Sequence, residues 1–269
     1  MLPLSPKEVA NPDPVIAGRR GLARLDVAIR IVGVLFAVLV LAFGGYYGYS
    51  RYLMGAQTYE SVEMKKAEQA IIDNPQNSDA RARLGVLYMQ LGRNDEALFQ
   101  FDQALKIARD HQEALLYSGI VYMNRNQYDT ALKYFDKLIK YYRNTAFAKT
   151  NTYLEQSYYY GGVAHWKKKR YDKALTYITD ALDIKSSSSD SLLMKGRILL
   201  DKKDYDGAMA AFNQALAFDP KYADALYGLG LAYEAKGNKE EALKNYKAAL
   251  ESQADFKLAS EAVKRLSAK

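Results

Sequence analysis

The chain of 269 residues is 49% hydrophobic and 26% charged, with a formal charge of +7, which is enough material for a sizeable core and excludes global disorder and collagen-like or low-complexity architectures. It has no cysteine, so disulfide scaffolds, thiolate zinc sites, cysteine nucleophiles and covalently attached haem are excluded. Two histidines, His111 and His165, leave little for imidazole chemistry, so a binding protein with no metal and no cofactor is expected over an enzyme.

Four of the six prolines, Pro3, Pro6, Pro12 and Pro14, open the chain and block regular helix, so residues 1–24 are expected to be a flexible tail. An uncharged run, residues 31–50, follows Arg19, Arg20, Arg24 and Arg30. As helix, such a run spans about 30 Å, a bilayer core, and the reading is a transmembrane anchor over residues 25–52, with lipid contact through 27–52. Tyr46, Tyr47, Tyr49 and Tyr52 with Arg51 mark its far boundary. The cations before the span outnumber those after it, which places the amino end in the cytoplasm and the remainder on the exoplasmic (periplasmic or extracellular) face of an inner or plasma membrane. The alternatives are a cleaved signal peptide, with Ala42 and Gly44 near the cut, and a cytoplasmic body. Gly44 and Gly48 form a small-xxx-small pair through which two spans could dimerise.

Residues 53–77 read as a connecting helix or half-repeat, with Ala67 and Ala70 in phase and Gly55 as its hinge. Beyond it the sequence repeats. Glycines stand at Gly85, Gly119, Gly162, Gly196 and Gly230, with spacings of 34, 43, 34 and 34, and Ala97, Ala131, Ala174, Ala208 and Ala242 follow each by 12. Four residues after each alanine comes a large side chain, Phe101, Phe135, Ile178, Phe212 and Tyr246, and three further on Ala104, Leu138, Ala181, Ala215 and Ala249. Pro75 and Pro220 fall at unit boundaries. This pattern resembles the tetratricopeptide repeat family. The resemblance implies an all-α fold, a right-handed superhelix of helix-turn-helix pairs at 78–111, 112–145, 155–188, 189–222 and 223–256, together spanning 78–256. Glycine and alanine would let the two helices of a pair approach closely, with the aromatic filling the gap to the next pair.

Nine extra residues, 146–154, interrupt the period and are expected either to lengthen the first helix of the third unit or to form a lip by the groove. His165 stands where other units have Tyr88, Tyr122 and Tyr233, so it should pack rather than ligate. Ser186–Ser189 read as a turn with a helix cap. Lys167–Arg170 form the densest basic cluster, read as a solvated helix end rather than a nucleic-acid patch. Residues 257–269 read as a capping helix with Leu258, Ala259, Ala262, Val263 and Leu266 on one stripe.

The resemblance places the ligand groove on the first helices. Inward positions by phase are Arg83, Val86 and Met89; Leu116, Tyr117, Ile120, Met123 and Asn124; Tyr159, Tyr160, Val163, Trp166 and Lys167; Leu193, Met194 and Arg197; and Tyr227, Leu231 and Glu234. Chaperone-binding members hold a terminal carboxylate with lysine and asparagine there, whereas Ala82, Val86 and Tyr117 occupy the corresponding places here, so that clamp is absent. An apolar and aromatic wall points instead to a peptide or helix of one or more partner proteins, each buried apolar side chain contributing about 1.5–3 kcal/mol before ordering costs. No glycine-rich phosphate loop or metal cluster is present. The expected function is a membrane-anchored scaffold or adaptor in envelope-complex assembly or secretion; the alternative is a permanent structural subunit of a larger membrane or surface complex.

Overall fold

The computed structural model of the protein describes residues 36, 38–46 and 59–268. Its contacts divide the chain into two units, residues 1–62 and 63–269, each described by itself. In the first, residues 38–46 are helical (α1), and Val38, Leu39, Leu41 and Phe43 are all more than half exposed. Among the described residues no helix is long and apolar enough to cross a membrane. The expected tail, most of the expected span with Tyr47, Tyr49, Arg51 and Tyr52, and the positions Gly48 and Gly55 lie outside the described residues.

The helices that follow are α2 (Tyr59–Asp73), α3 (Ser78–Gln90), α4 (Asn94–Ile107), α5 (Gln112–Asn124), α6 (Tyr128–Tyr142), α7 (Thr152–Lys167), α8 (Tyr171–Ile184), α9 (Ser189–Asp201), α10 (Tyr205–Phe218), α11 (Ala223–Ala235), α12 (Lys239–Ser252) and α13 (Lys257–Ser267). No strand occurs among the described residues. Side-chain caps mark several of the starts: Asn77 Oδ1 accepts from the Ala80 amide at 2.9 Å, Asn151 Oδ1 from Leu154 at 3.0 Å and Ser188 Oγ from Ser191 at 3.4 Å. His111 caps α5 through Nδ1 and donates from Nε2 to Asp79 Oδ1 at 2.9 Å, so this junction histidine ties α5 to α3.

α3 to α12 pack as five pairs. Within each pair the large residue of the second helix lies on the glycine of the first: Phe101, Phe135, Ile178, Phe212 and Tyr246 are all wholly buried. A β-carbon at Gly85 or Gly119 would overlap the ring of Phe101 or Phe135, so only glycine allows the approach. The same rings face the next pair: Phe101 stacks with Tyr117 at 6.3 Å between centroids, and Phe135 with Tyr160 at 6.1 Å. α3, α5, α7, α9 and α11 also touch one another in succession, so the first helices form one continuous wall. The result is an all-α solenoid.

Between pairs, a cation at the end of a first helix reaches an aspartate at the start of the preceding second helix. Arg125 pairs with Asp95 at 2.7 Å, and Lys168 with Asp129, Lys202 with Asp172 and Lys236 with Asp206 repeat the contact. Arg170 adds a contact to Asp129 at 3.7 Å. Two residues of the basic cluster at 167–170, Lys168 and Arg170, thus engage an acid of the preceding pair, Asp129.

The stretch 146–154 forms a short 3-10 turn (Ala148–Thr150) against α8 and the first residues of α7. Asn151 Nδ2 donates to Gln112 Oε1 at 2.9 Å, joining it to the start of α5. At the far end α13 buries Ala259, Ala262 and Leu266 against Ala242 and Tyr246. Leu258, expected on that stripe, is instead 53% exposed, because the buried face is narrower than the apolar one.

Candidate functional site

The wall of first helices opens into a pocket of about 380 Å³ between α5 and α7. Ile120, Met123 and Asn124 come from α5; Tyr159, Tyr160, Val163 and Lys167 from α7; and Met194 from α9. These all stand among the inward positions read from the repeat phase. Asn126 and Tyr128, which complete the lining, were not among them; they belong to the turn after α5, where Tyr128 Oη donates to Asn126 Oδ1 at 2.7 Å. Their signal was the turn itself, since the pocket lies at the carboxyl ends of the parallel helices α5 and α7. Burial pushes the Tyr159 hydroxyl up to about 12, and the Tyr160 and Tyr117 hydroxyls also upward, so these phenols remain donors at neutral pH.

Other inward positions do different work. Leu116 and Leu193 are buried, the first in a core with Phe135 and Leu138, the second with Ala208 and Phe212. Both were expected in the groove and are corrected to packing residues: neighbouring first helices touch, and that seam consumes the flank of the inward stripe. Met194 is also buried but borders the pocket. Trp166 is corrected in part: its indole Nε1 donates to Asp201 Oδ2 at 2.6 Å, and its ring packs toward Met194 and Ile198, bridging the third and fourth pairs.

Ion pairs occupy the two ends of the wall. Arg83 bonds Glu63 Oε2 at 2.8 Å, and the neighbouring Val86 and Met89 are half-buried. Arg197 pairs with Asp224 at 2.5 Å, and Arg265 with Glu234, which also accepts from Tyr246 Oη at 2.7 Å. Tyr227 is held between Tyr246 and Phe256, with ring centroids 5.4 and 5.3 Å away, and Leu231 packs beside it. The open apolar surface therefore centres on the second and third pairs.

His165 lies buried beside this wall, edge-on to Tyr177 at 4.9 Å, with burial lowering its basicity. It packs in the tyrosine slot. Among the described residues no group of acidic or histidine side chains could hold a metal ion.

Comparison with known families agrees with the helix pairing. Family models described as TPR repeat or tetratricopeptide repeat match residues 65–114, 92–150, 196–237 and 223–255. A model described as anaphase-promoting complex, cyclosome, subunit 3 matches residues 124–215. The chain is thus a tetratricopeptide-repeat protein. Among solved structures it is similar to YrrB, described as a TPR protein with an unusual peptide-binding site, at 25% identity and TM-score 0.59 over 74% of this chain and 97% of that one. It is also similar to PilW, described as a type IV pilus biogenesis factor, at 21% identity and TM-score 0.65 over 81% and 95%. MamA follows at 23% identity and TM-score 0.56 over 67% and 95%. No curated protein matches the chain in sequence.

Proposed function

We propose that the protein is a membrane-anchored scaffold or adaptor that holds a peptide or helix of a partner protein on its inner wall, on the exoplasmic side of the membrane, in envelope-complex assembly or secretion. The observation that carries the binding role is the α5–α7 pocket, floored by Ile120, Val163 and two tyrosines and open at the wall. Similarity to YrrB, a repeat protein described with a peptide-binding site, supports the same reading. Anchoring rests on the uncharged run 31–50, its flanking cations and tyrosines, and the exposed apolar side chains of α1. Tethering raises the effective concentration of a partner confined to the same bilayer, so a few apolar anchors suffice.

The test is photocrosslinking of the full chain in native membranes with a photoreactive residue at Asn124, which is exposed at the pocket mouth. Capture of partner chains that is competed by added peptide is the expected result. Capture of one fixed neighbour at unit stoichiometry would make the protein a permanent subunit instead, and crosslinks confined to its own helices would remove the binding role.

A further inference from the structure

We propose that the segment bound at the α5–α7 pocket carries an acidic side chain beside its bulky apolar one: the apolar side chain fills the pocket and the carboxylate pairs with Lys167. This rests on the groove reading above and adds to it the chemistry of the occupant.

Lys167 is the one charged residue lining the pocket. Its neighbours are committed, Lys168 to Asp129, Lys202 to Asp172 and the Trp166 indole to Asp201. Lys167 has no carboxylate partner among the described residues; its ammonium lies over the Trp166 ring, 4.7 Å from the centroid, and the side chain is exposed. The other polar groups at this mouth add donors: Asn124 is exposed, and Asn126, whose side-chain oxygen accepts from Tyr128, keeps its amide N–H groups. A side-chain carboxylate fits better than a chain terminus. Lys167 supplies a single point charge rather than converging forks, and the wall continues past the pocket on both sides, through Val86 and Tyr117 one way and Leu231 the other.

The experiment measures binding of the full chain, by fluorescence anisotropy at low ionic strength, to short acetylated and amidated peptides with a central Phe followed by Glu, Gln or Lys. The Glu peptide should bind about fivefold more tightly than its Gln isostere, the gain typical of one partly exposed ion pair. Lys167→Met should abolish the preference and Lys167→Glu should reverse it toward the Lys peptide. Lys169→Glu, which makes the same change in net charge away from the pocket, should leave it intact. Equal binding of Glu and Gln peptides, or a preference that survives Lys167→Glu, overturns the proposal; if Val163→Trp still blocks all the peptides, the groove reading stands. Tighter binding of the same peptides with free carboxyl ends overturns the side-chain assignment in favour of a terminus. Absence of binding by every peptide, unaltered by Val163→Trp, overturns both readings.

Discussion

Gly92, Asn126, Lys169, Lys203 and Gly237 occupy the same turn in successive pairs, and all five have left-handed backbone, with φ between 56° and 81°. Glycine adopts that conformation without a β-carbon penalty; asparagine tolerates it, and lysine is strained there. Lys203→Gly should therefore stabilise the protein by about 0.5–1 kcal/mol, and Gly92→Ala should destabilise it by about 1 kcal/mol, both read from urea unfolding. The fully buried ring of Phe135 has the opposite sensitivity: Phe135→Ala should cost about 3–5 kcal/mol. His165 gives a pH signature. Burial lowers its pKa in the folded chain below the ordinary 6.5, so below that pH the unfolded chain takes up protons that the folded chain resists. Stability attributable to this site is complete above pH 6.5 and falls as the pH drops beneath it. Asp136 opposes the shift, while Lys173, Arg170 and Lys168 reinforce it. Comparing the unfolding free energy of wild type and His165→Tyr across that window isolates the term; equal slopes would refute it. The place of His165 was legible because other units put tyrosine there. The bridge that Trp166 makes to the next pair was not legible, because its acceptor, Asp201, sits 35 residues away and only the fold brings the two together.

At the scale of helices, the period was readable because each pair needs the same small residues under the same large one. What phase alone could not convey is how wide the inward stripe is. Leu116 and Leu193 share the phase of Ile120 and Arg197, yet contacts between adjacent first helices seal them in. The nine-residue interruption was visible as a spacing, while its conformation, a 3-10 turn linked to Gln112 through Asn151, depends on a partner in another pair. The four ion pairs between successive pairs were hidden for the same reason, since the partners lie 30 to 39 residues apart. They stand at the surface, so each should contribute little. A double-mutant cycle with Asp129→Asn and Lys168→Met should give a coupling of about 0.5 kcal/mol that shrinks in high salt. A coupling several times larger would mean that the junctions are held by charge rather than by the ring contacts of Phe135 with Tyr160 and Phe101 with Tyr117.

For the whole molecule, the proposed anchoring raises the question of which side of a membrane the wall of first helices would face, and the sequence offers a direct way to test it. The chain has no cysteine, so a single introduced thiol reports its own location against no background. Ser252→Cys, exposed at the end of α12, and Ser5→Cys, in the amino-terminal region, bracket the expected span. With a membrane-impermeant maleimide applied to intact cells, or to cells with a permeabilised outer layer, Ser252→Cys should be labelled and Ser5→Cys should react only after lysis. That outcome follows from Lys7, Arg19, Arg20, Arg24 and Arg30 before the span against Arg51, Lys65 and Lys66 after it. The reverse pattern would put the wall in the cytoplasm, among different partners. Labelling of Ser252→Cys in the medium fraction, on a chain shortened at its amino end, would mean a cleaved signal. Tethering could then no longer supplement the weak apolar contacts, and the pocket would need anchors enough to bind unaided.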